Sequence, residues 1–254
     1  MSNIDEFTGK SLVYSRYRQK YPEAVINYMI SKCKLSGTST IIDVGCGTGI
    51  LTKQLLDKGI NTIGVEPNID MYNQAKIYLE GYKTSIINSS AERTNLPDNC
   101  ADLVTVAQAL HWFELKKFRC EYMRILKDSG RVAILYNNAD EYNAAVRDFL
   151  DIHRLLCPKY RKFGKEINDK TDMYTAMFGT NNFSIRDYNN DQYLTLEEYI
   201  GYAKSLSYSL NPSDIDYNMY IELLQQVFYK YSTSQKLYFP TTTTLVLSKQ
   251  KRRL

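Results

Sequence analysis

The chain has 254 residues, of which 44% are hydrophobic, with a formal net charge of +4 and five cysteines. That length suffices for one full α/β domain with an insertion, and a mild, dispersed positive charge excludes the dense basic surface of a nucleic-acid binder. Cys33, Cys46, Cys100, Cys120 and Cys157 form no Cys-x-x-Cys pair and are odd in number, which argues against a metal site and against a disulfide framework. No run approaches the length of a membrane span, and the polar start (Asp5, Glu6, Lys10) has no apolar signal core, so a cytoplasmic protein without a membrane partner is expected. The basic end, Lys249, Lys251, Arg252 and Arg253, reads as a solvated tail.

Residues 1–37 carry Phe7, Tyr14, Tyr17 and Tyr21 with Arg16 and Arg18 between them, and Pro22 introduces a helical pattern of Val25, Ile26, Met29 and Ile30. The strongest local signal follows. A β-branched run (Thr40, Ile41, Ile42, Val44) ends in Gly45, Gly47 and Gly49, and Leu51, Leu55 and Leu56 then continue at helical spacing. Strand, tight loop and helix in that order make a nucleotide-cofactor pocket. A dinucleotide fingerprint would need a further glycine where Ile50 stands. Asp43, two residues before the first glycine, would repel a phosphate and suit an ammonium group. Both features favour a cofactor with an amino-acid end, such as S-adenosyl-L-methionine.

A second strand over residues 61–66 ends in Glu66-Pro67-Asn68, about 20 residues past the glycines, the offset at which an acidic side chain takes up ribose hydroxyls. Met71 opens the next helix as a packing residue in reach of an adenine ring. A third strand (84–88) leads into the polar Ser89-Ser90-Ala91-Glu92. The fourth (102–107) runs into Ala107-Gln108-Ala109-Leu110-His111-Trp112-Phe113, which should face the reacting centre, because ligands of open α/β sheets lie beyond the carboxyl ends of the strands. An amphipathic helix with Tyr122, Met123, Ile125 and Leu126 precedes a fifth strand (132–136). Helical stretches at 143–156 and 174–178, with a lysine- and aspartate-rich segment between them, read as an insertion over 139–180 that acts as a lid or substrate cap. His153 on the first of them has no evident partner in sequence. Two late strands (183–193 and 236–247), with helices at 196–205 and 213–231 between them, should form an antiparallel edge.

These motifs resemble the class I S-adenosylmethionine-dependent methyltransferases, whose first motif has the form acidic-x-Gly-x-Gly-x-Gly. The aromatic end of the fourth strand is similar to that of the branch containing trans-aconitate methyltransferases. Tyr17-Arg18-Gln19-Lys20-Tyr21-Pro22 resembles an opening of the form Tyr-x-Arg-Pro-x-Tyr-Pro, with Gln19 in place of the first proline and Tyr17 one place nearer the arginine. The resemblance implies a Rossmann-like α/β fold: a seven-stranded, mostly parallel sheet with helices on both faces and a helical insertion after the fifth strand. One domain would span 1–254, with a cap segment (1–37), a cofactor-binding core (38–138), the insert (139–180) and closing strands and helices (181–254).

The same resemblance implies methyl transfer from S-adenosyl-L-methionine to a small organic acceptor by a monomer or homodimer with no nucleic-acid partner. Cofactor contacts fall to Asp43, Gly45, Cys46, Gly47, Gly49, Glu66, Pro67, Met71, Ser90, Ala91, Glu92 and Gln108. Tyr14, Arg18 and His111 are the candidate catalytic residues, Arg18 being suited to an acidic acceptor, so O-methylation of a carboxylic acid is the favoured reaction. N- or C-methylation of another metabolite, and a non-catalytic cofactor-binding protein, stay open. The polar-Pro-Pro-aromatic motif of many enzymes that methylate planar nitrogens is not present at 107–110.

Overall fold

The computed structural model describes residues 7–163 and 170–250. Asp5, Glu6, part of the lysine- and aspartate-rich segment, and Lys251, Arg252 and Arg253 of the basic tail lie outside the described residues. In chain order the elements are α1 (Ser11–Tyr17), α2 (Glu23–Cys33), β1 (Thr40–Val44), α3 (Ile50–Asp57), β2 (Asn61–Val65), α4 (Ile69–Tyr78), β3 (Ile86–Ile87), β4 (Ala101–Ala107), α5 (Leu115–Ile125), β5 (Leu126–Ala139) and α6 (Ala144–Leu156). Then follow α7 (Pro158–Phe163), α8 (Lys170–Phe178), β6 (Phe183–Asn189), β7 (Gln192–Leu194), α9 (Leu196–Lys204), α10 (Tyr217–Tyr231), β8 (Leu237–Phe239) and β9 (Thr241–Ser248).

Seven strands form one sheet in the order β3-β2-β1-β4-β5-β9-β6. The first five pair in parallel, and β9 runs antiparallel to both of its neighbours. Because successive strand residues point to opposite faces, each strand supplies two cores. Ile41, Leu103, Ala133, Leu135 and Leu245 face Val25, Met29 and Leu55 of α2 and α3. Ile42, Val104, Ile134 and Val246 face Phe118, Tyr122 and Met177 of α5 and α8. The chain leaves β1 in one direction for β2 and returns on the other side for β4, so the crevice of the sheet opens between the carboxyl ends of β1 and β4.

A third core lies beside the sheet, where α6, α9, α10 and the small β7–β8 sheet bring together Phe149, Tyr199, Tyr220, Leu224 and Phe239. Local signals set the helix starts. Asn143 caps α6 by accepting from the amides of Ala145 and Val146, and Thr195 with Glu198 forms a capping box on α9.

Three expectations change. The third strand is only two residues long. Both late strands are broken. Pro240 has no N–H to give a ladder, and Asp191 opposite it accepts from the Thr241 amide (3.1 Å) and the Tyr238 hydroxyl (3.0 Å). Each late strand thus pairs once in the main sheet and once in the β7–β8 sheet. The stretch read as one lid over 139–180 also divides: α6 belongs to the third core with α9 and α10, whereas Tyr174 and Met177 of α8 pack on the α5 face of the sheet.

Candidate active site

The β1–α3 loop is built by its glycines. Gly45, Gly47 and Gly49 have φ of 69°, 57° and 86°, values that a side chain disfavours. A Cβ on Gly45 would also stand 2.7 Å from that of Ala109 and 3.1 Å from the Phe113 ring. Past the end of β2, the Glu66 carboxylate is 6% exposed; Oε2 accepts the Gly47 amide at 2.9 Å and Oε1 the Asn68 amide at 2.8 Å. Each oxygen keeps a further lone pair. Burial raises the Glu66 carboxyl to about 7 against the pull of those two amides, with Asp43 adding a smaller push upward.

Asp43 does not take the place at an ammonium group that its charge suggested. It is fully buried behind the loop, with one oxygen accepting from Thr52 Oγ1 at 2.7 Å and the other from Thr105 Oγ1 at 2.8 Å. It ties α3 and β4 to β1. Burial lifts its carboxyl to about 6, the two threonines opposing the rise. Gly49 is also turned to structure, as the N-cap of α3, where a Cβ would meet Leu79 at 3.0 Å.

The remaining cofactor candidates other than Cys46 converge on one cavity. A cavity of about 490 Å³ is lined by Tyr14, Gly45, Gly47, Glu66, Pro67, Met71, Ser90, Ala91, Glu92 and Gln108, a size that suits a small-molecule ligand. Asn68, which caps α4 through Oδ1, the aromatic rings of Phe7, Trp112 and Phe113, and Ala107, Ala109, Glu114 and Lys117 also line it. Glu92 accepts the Glu114 amide at 2.9 Å and so fixes the 90–92 loop to the start of α5. Gln108 is held at φ 58° by its amide bond to Leu135 O and its side-chain bond to Asn137 O. Such a conformation in a bulky residue marks stored strain, which concentrates at functional sites.

Next to this cavity lies a smaller one of about 30 Å³, lined by Tyr14, Arg18, Cys46, Gln108, Asn137 and Tyr202 among others. Arg18 sits over the Tyr14 ring (4.8 Å to its centroid) and near that of Tyr202 (5.7 Å), and donates to Ser205 O at 3.3 Å. The cap that carries it is held down by Lys10, whose buried ammonium donates to Leu206 O (2.9 Å), Ser209 O (2.9 Å) and Ser209 Oγ (2.8 Å). Tyr17 lies flat over Gly201 of α9, where a Cβ would come within 2.3 Å of its ring. Tyr14 thereby reaches the cavity through a segment with no buried residue of its own in α1.

His111 lines none of these cavities. It sits on a 3₁₀ turn after β4 with Nδ1 3.2 Å from the Tyr136 hydroxyl. His153 is a core group: its Nδ1–H donates to Phe149 O (2.7 Å), and Nε2 accepts the Tyr220 hydroxyl (2.9 Å). Burial lowers it to about 4. Sequence reasoning missed Tyr202 and Asn137, because only tertiary packing brings α9 and the end of β5 to the crevice. Among the described residues, no group of His, Cys, Asp or Glu could hold a metal ion, and no helix is long and apolar enough to cross a membrane.

Comparison with known proteins places this geometry. Residues 42–134 match the family model described as a methyltransferase domain. An uncharacterized methyltransferase of Mycobacterium tuberculosis is 32% identical over 139 residues, covering 55% of this chain and 55% of that protein. An uncharacterized methyltransferase of Schizosaccharomyces pombe is 28% identical over 128 residues, half of each chain. The chain thus spans about half the length of the curated relatives it matches. In fold it is similar to the YcgJ protein of Bacillus subtilis (TM-score 0.58, 18% identity, 91% of this chain and all of that one). It is also similar to a geranyl diphosphate C-methyltransferase of Streptomyces coelicolor solved with S-adenosyl-L-homocysteine (TM-score 0.50, 12% identity, 90% and 77% covered).

Proposed function

We propose that this chain, of which residues 42–134 match a methyltransferase-domain model, is a class I S-adenosylmethionine-dependent methyltransferase and that the whole protein methylates a small carboxylic acid to its methyl ester. The cofactor reading rests on the Glu66 carboxylate, which faces the cavity with both oxygens already oriented by backbone amides. Its remaining lone pairs are free to accept two ribose hydroxyls. Pro67, Met71 and residues Ser90 to Glu92 are the candidates to enclose the adenine, and Gly45, Gly47, Cys46 and Gln108 the amino-acid end. Bound S-adenosylmethionine supplies an electrophilic methyl group, which a carboxylate oxygen takes as the carbon–sulfur bond breaks onto sulfur, leaving the ester and S-adenosylhomocysteine with no proton to move.

For such an acceptor the protein needs no base, since carboxylates are ionised at pH 7. What it needs is alignment, an effect that can supply up to ~7–11 kcal/mol, and a cation to hold the acid. One observation favours the acid: the guanidinium of Arg18 has no carboxylate partner among the described residues, and its Nε is buried without a hydrogen bond beside the cofactor cavity. His111, hydrogen-bonded to Tyr136 and away from the cavities, has no part in this reading. Titration with S-adenosylmethionine and with NAD tests the cofactor: micromolar binding of the first alone is expected, and binding of NAD alone would overturn it.

A further inference from the structure

Beyond Arg18 the structure holds a cleft of about 270 Å³ that has no lining residue in common with the cofactor cavity and borders the small cavity, with which it shares Arg18, Gln19, Tyr21 and Tyr202. The cap segment forms one side of it and the turn after β6, with α9, the other. Two N–H donors at this junction are buried without any hydrogen-bond partner: Nε of Arg18 and Nε2 of its neighbour Gln19. Buried donors are nearly always satisfied in a folded protein, by protein, water or ligand, so these two donors, which have no protein partner, are available to a bound ligand. Tyr21 on the cap and Tyr202 on α9 line the same two cavities, with the Arg18 guanidinium 5.7 Å from the Tyr202 ring centroid.

We propose that this cleft is the acceptor site and that Gln19 determines its specificity, its amide joining the Arg18 guanidinium to bind the carboxylate of a flat, aromatic or unsaturated acid. The inference rests on the methyltransferase reading and goes beyond it by assigning a second site and a new residue. One donor is a fixed cation, the other a neutral amide, a pair that matches the two oxygens of a carboxylate. The ring walls suit a planar body. Proline, the residue of the similar opening motif at this position, has no side-chain N–H to offer. Glu198 also lines the cleft, but its Oε2 already accepts from the Thr195 amide and hydroxyl at 2.8 and 3.0 Å, so it is engaged in the cap of α9. The acid would enter on the far side of Arg18 from the cofactor and meet it past Gln108 and Asn137.

Calorimetry on the full chain saturated with S-adenosylhomocysteine tests this, with benzoate as the probe and benzylamine and inorganic phosphate as controls. Millimolar or tighter binding of benzoate alone is expected, and Gln19→Leu should weaken it at least tenfold while leaving the affinity for S-adenosylhomocysteine within twofold. Gln19→Glu, which keeps the shape but adds a negative charge, should abolish benzoate binding. Equal binding of phosphate, or a Gln19→Leu variant that binds benzoate as well as the parent, would overturn the assignment. So would a loss confined to S-adenosylhomocysteine, because the amide would then serve the cofactor. Failure of the parent protein to bind S-adenosylhomocysteine at all would instead remove the methyltransferase reading itself.

Discussion

The Gly47 amide donates to Glu66 Oε2 at 2.9 Å, so the loop after β1 and the carboxylate after β2 fix each other before any ligand arrives. Removing that carboxylate costs the loop anchor and, on the proposed cofactor reading, two acceptors for a ribose. Glu66→Ala should weaken S-adenosylmethionine binding by at least about tenfold, since hydrogen bonds to a charged group contribute ~1.5–3 kcal/mol. An unchanged dissociation constant in calorimetry would show that Glu66 is not the ribose acceptor.

The same carboxyl gives a pH dependence. Its pKa in the free protein is raised to about 7 by burial, and ribose hydroxyls need its ionised form as acceptor. Affinity should therefore be flat above pH 7 and fall by up to about tenfold per unit below it. Titrations at pH 6, 7 and 8 check this, and Glu66→Gln should flatten the profile.

Adjacent glycines of the loop should respond differently to alanine. Gly45→Ala meets Ala109 at 2.7 Å as well as a left-handed backbone, whereas Gly47→Ala faces nothing closer than the Tyr14 ring at 3.9 Å. Losses of about 2–4 kcal/mol and about 1–2 kcal/mol respectively are expected in urea unfolding. Gly47→Ala should nevertheless be the milder change in stability while still weakening cofactor binding, because its methyl group would intrude on the cavity.

His153 lies neutral between Phe149 O and the Tyr220 hydroxyl, its pKa lowered to about 4 by burial. The unfolded chain takes up this proton first, near pH 6.5. Stability from this group is thus complete above pH 6.5 and is lost as pH falls toward 4, by on the order of 3 kcal/mol. The difference between parent and His153→Gln unfolding free energies should shrink over that window. A constant difference would mean that the histidine is not held neutral.

Lys10 anchors the cap through carbonyl and hydroxyl oxygens of residues 206–209. Lys10→Met should cost about 1–3 kcal/mol and release the cap, read as faster proteolysis within 7–18 and severalfold weaker cofactor binding, because Phe7 and Tyr14 wall the cavity.

Much of the crevice was legible because its parts are local. β1, β2 and β4 announce themselves as β-branched runs, and Gly45, Glu66 and Gln108 stand at their carboxyl ends, where sheet topology gathers them. Asp43 was misread because its charge suggested a ligand, while the two threonines that bond it, Thr52 and Thr105, lie on other elements and carry no local signal. Tyr202 could not be found at all: the cap docks on α9 through Tyr17 and Gly201, a contact made only by the folded chain. Pro240 was a readable break in the last strand, yet its partner break at Asn190 and Asp191 depends on β7 finding β8.

The most direct test supplies the protein with S-adenosylmethionine labelled in its methyl group, together with a panel of small carboxylic acids, and follows both products. S-adenosylhomocysteine should form only when an acid is present, with the label in a product that mild base cleaves to methanol, as expected of a methyl ester. Label in a base-stable product, or S-adenosylhomocysteine formed only with amine or carbon acceptors, would contradict methylation of a carboxylate.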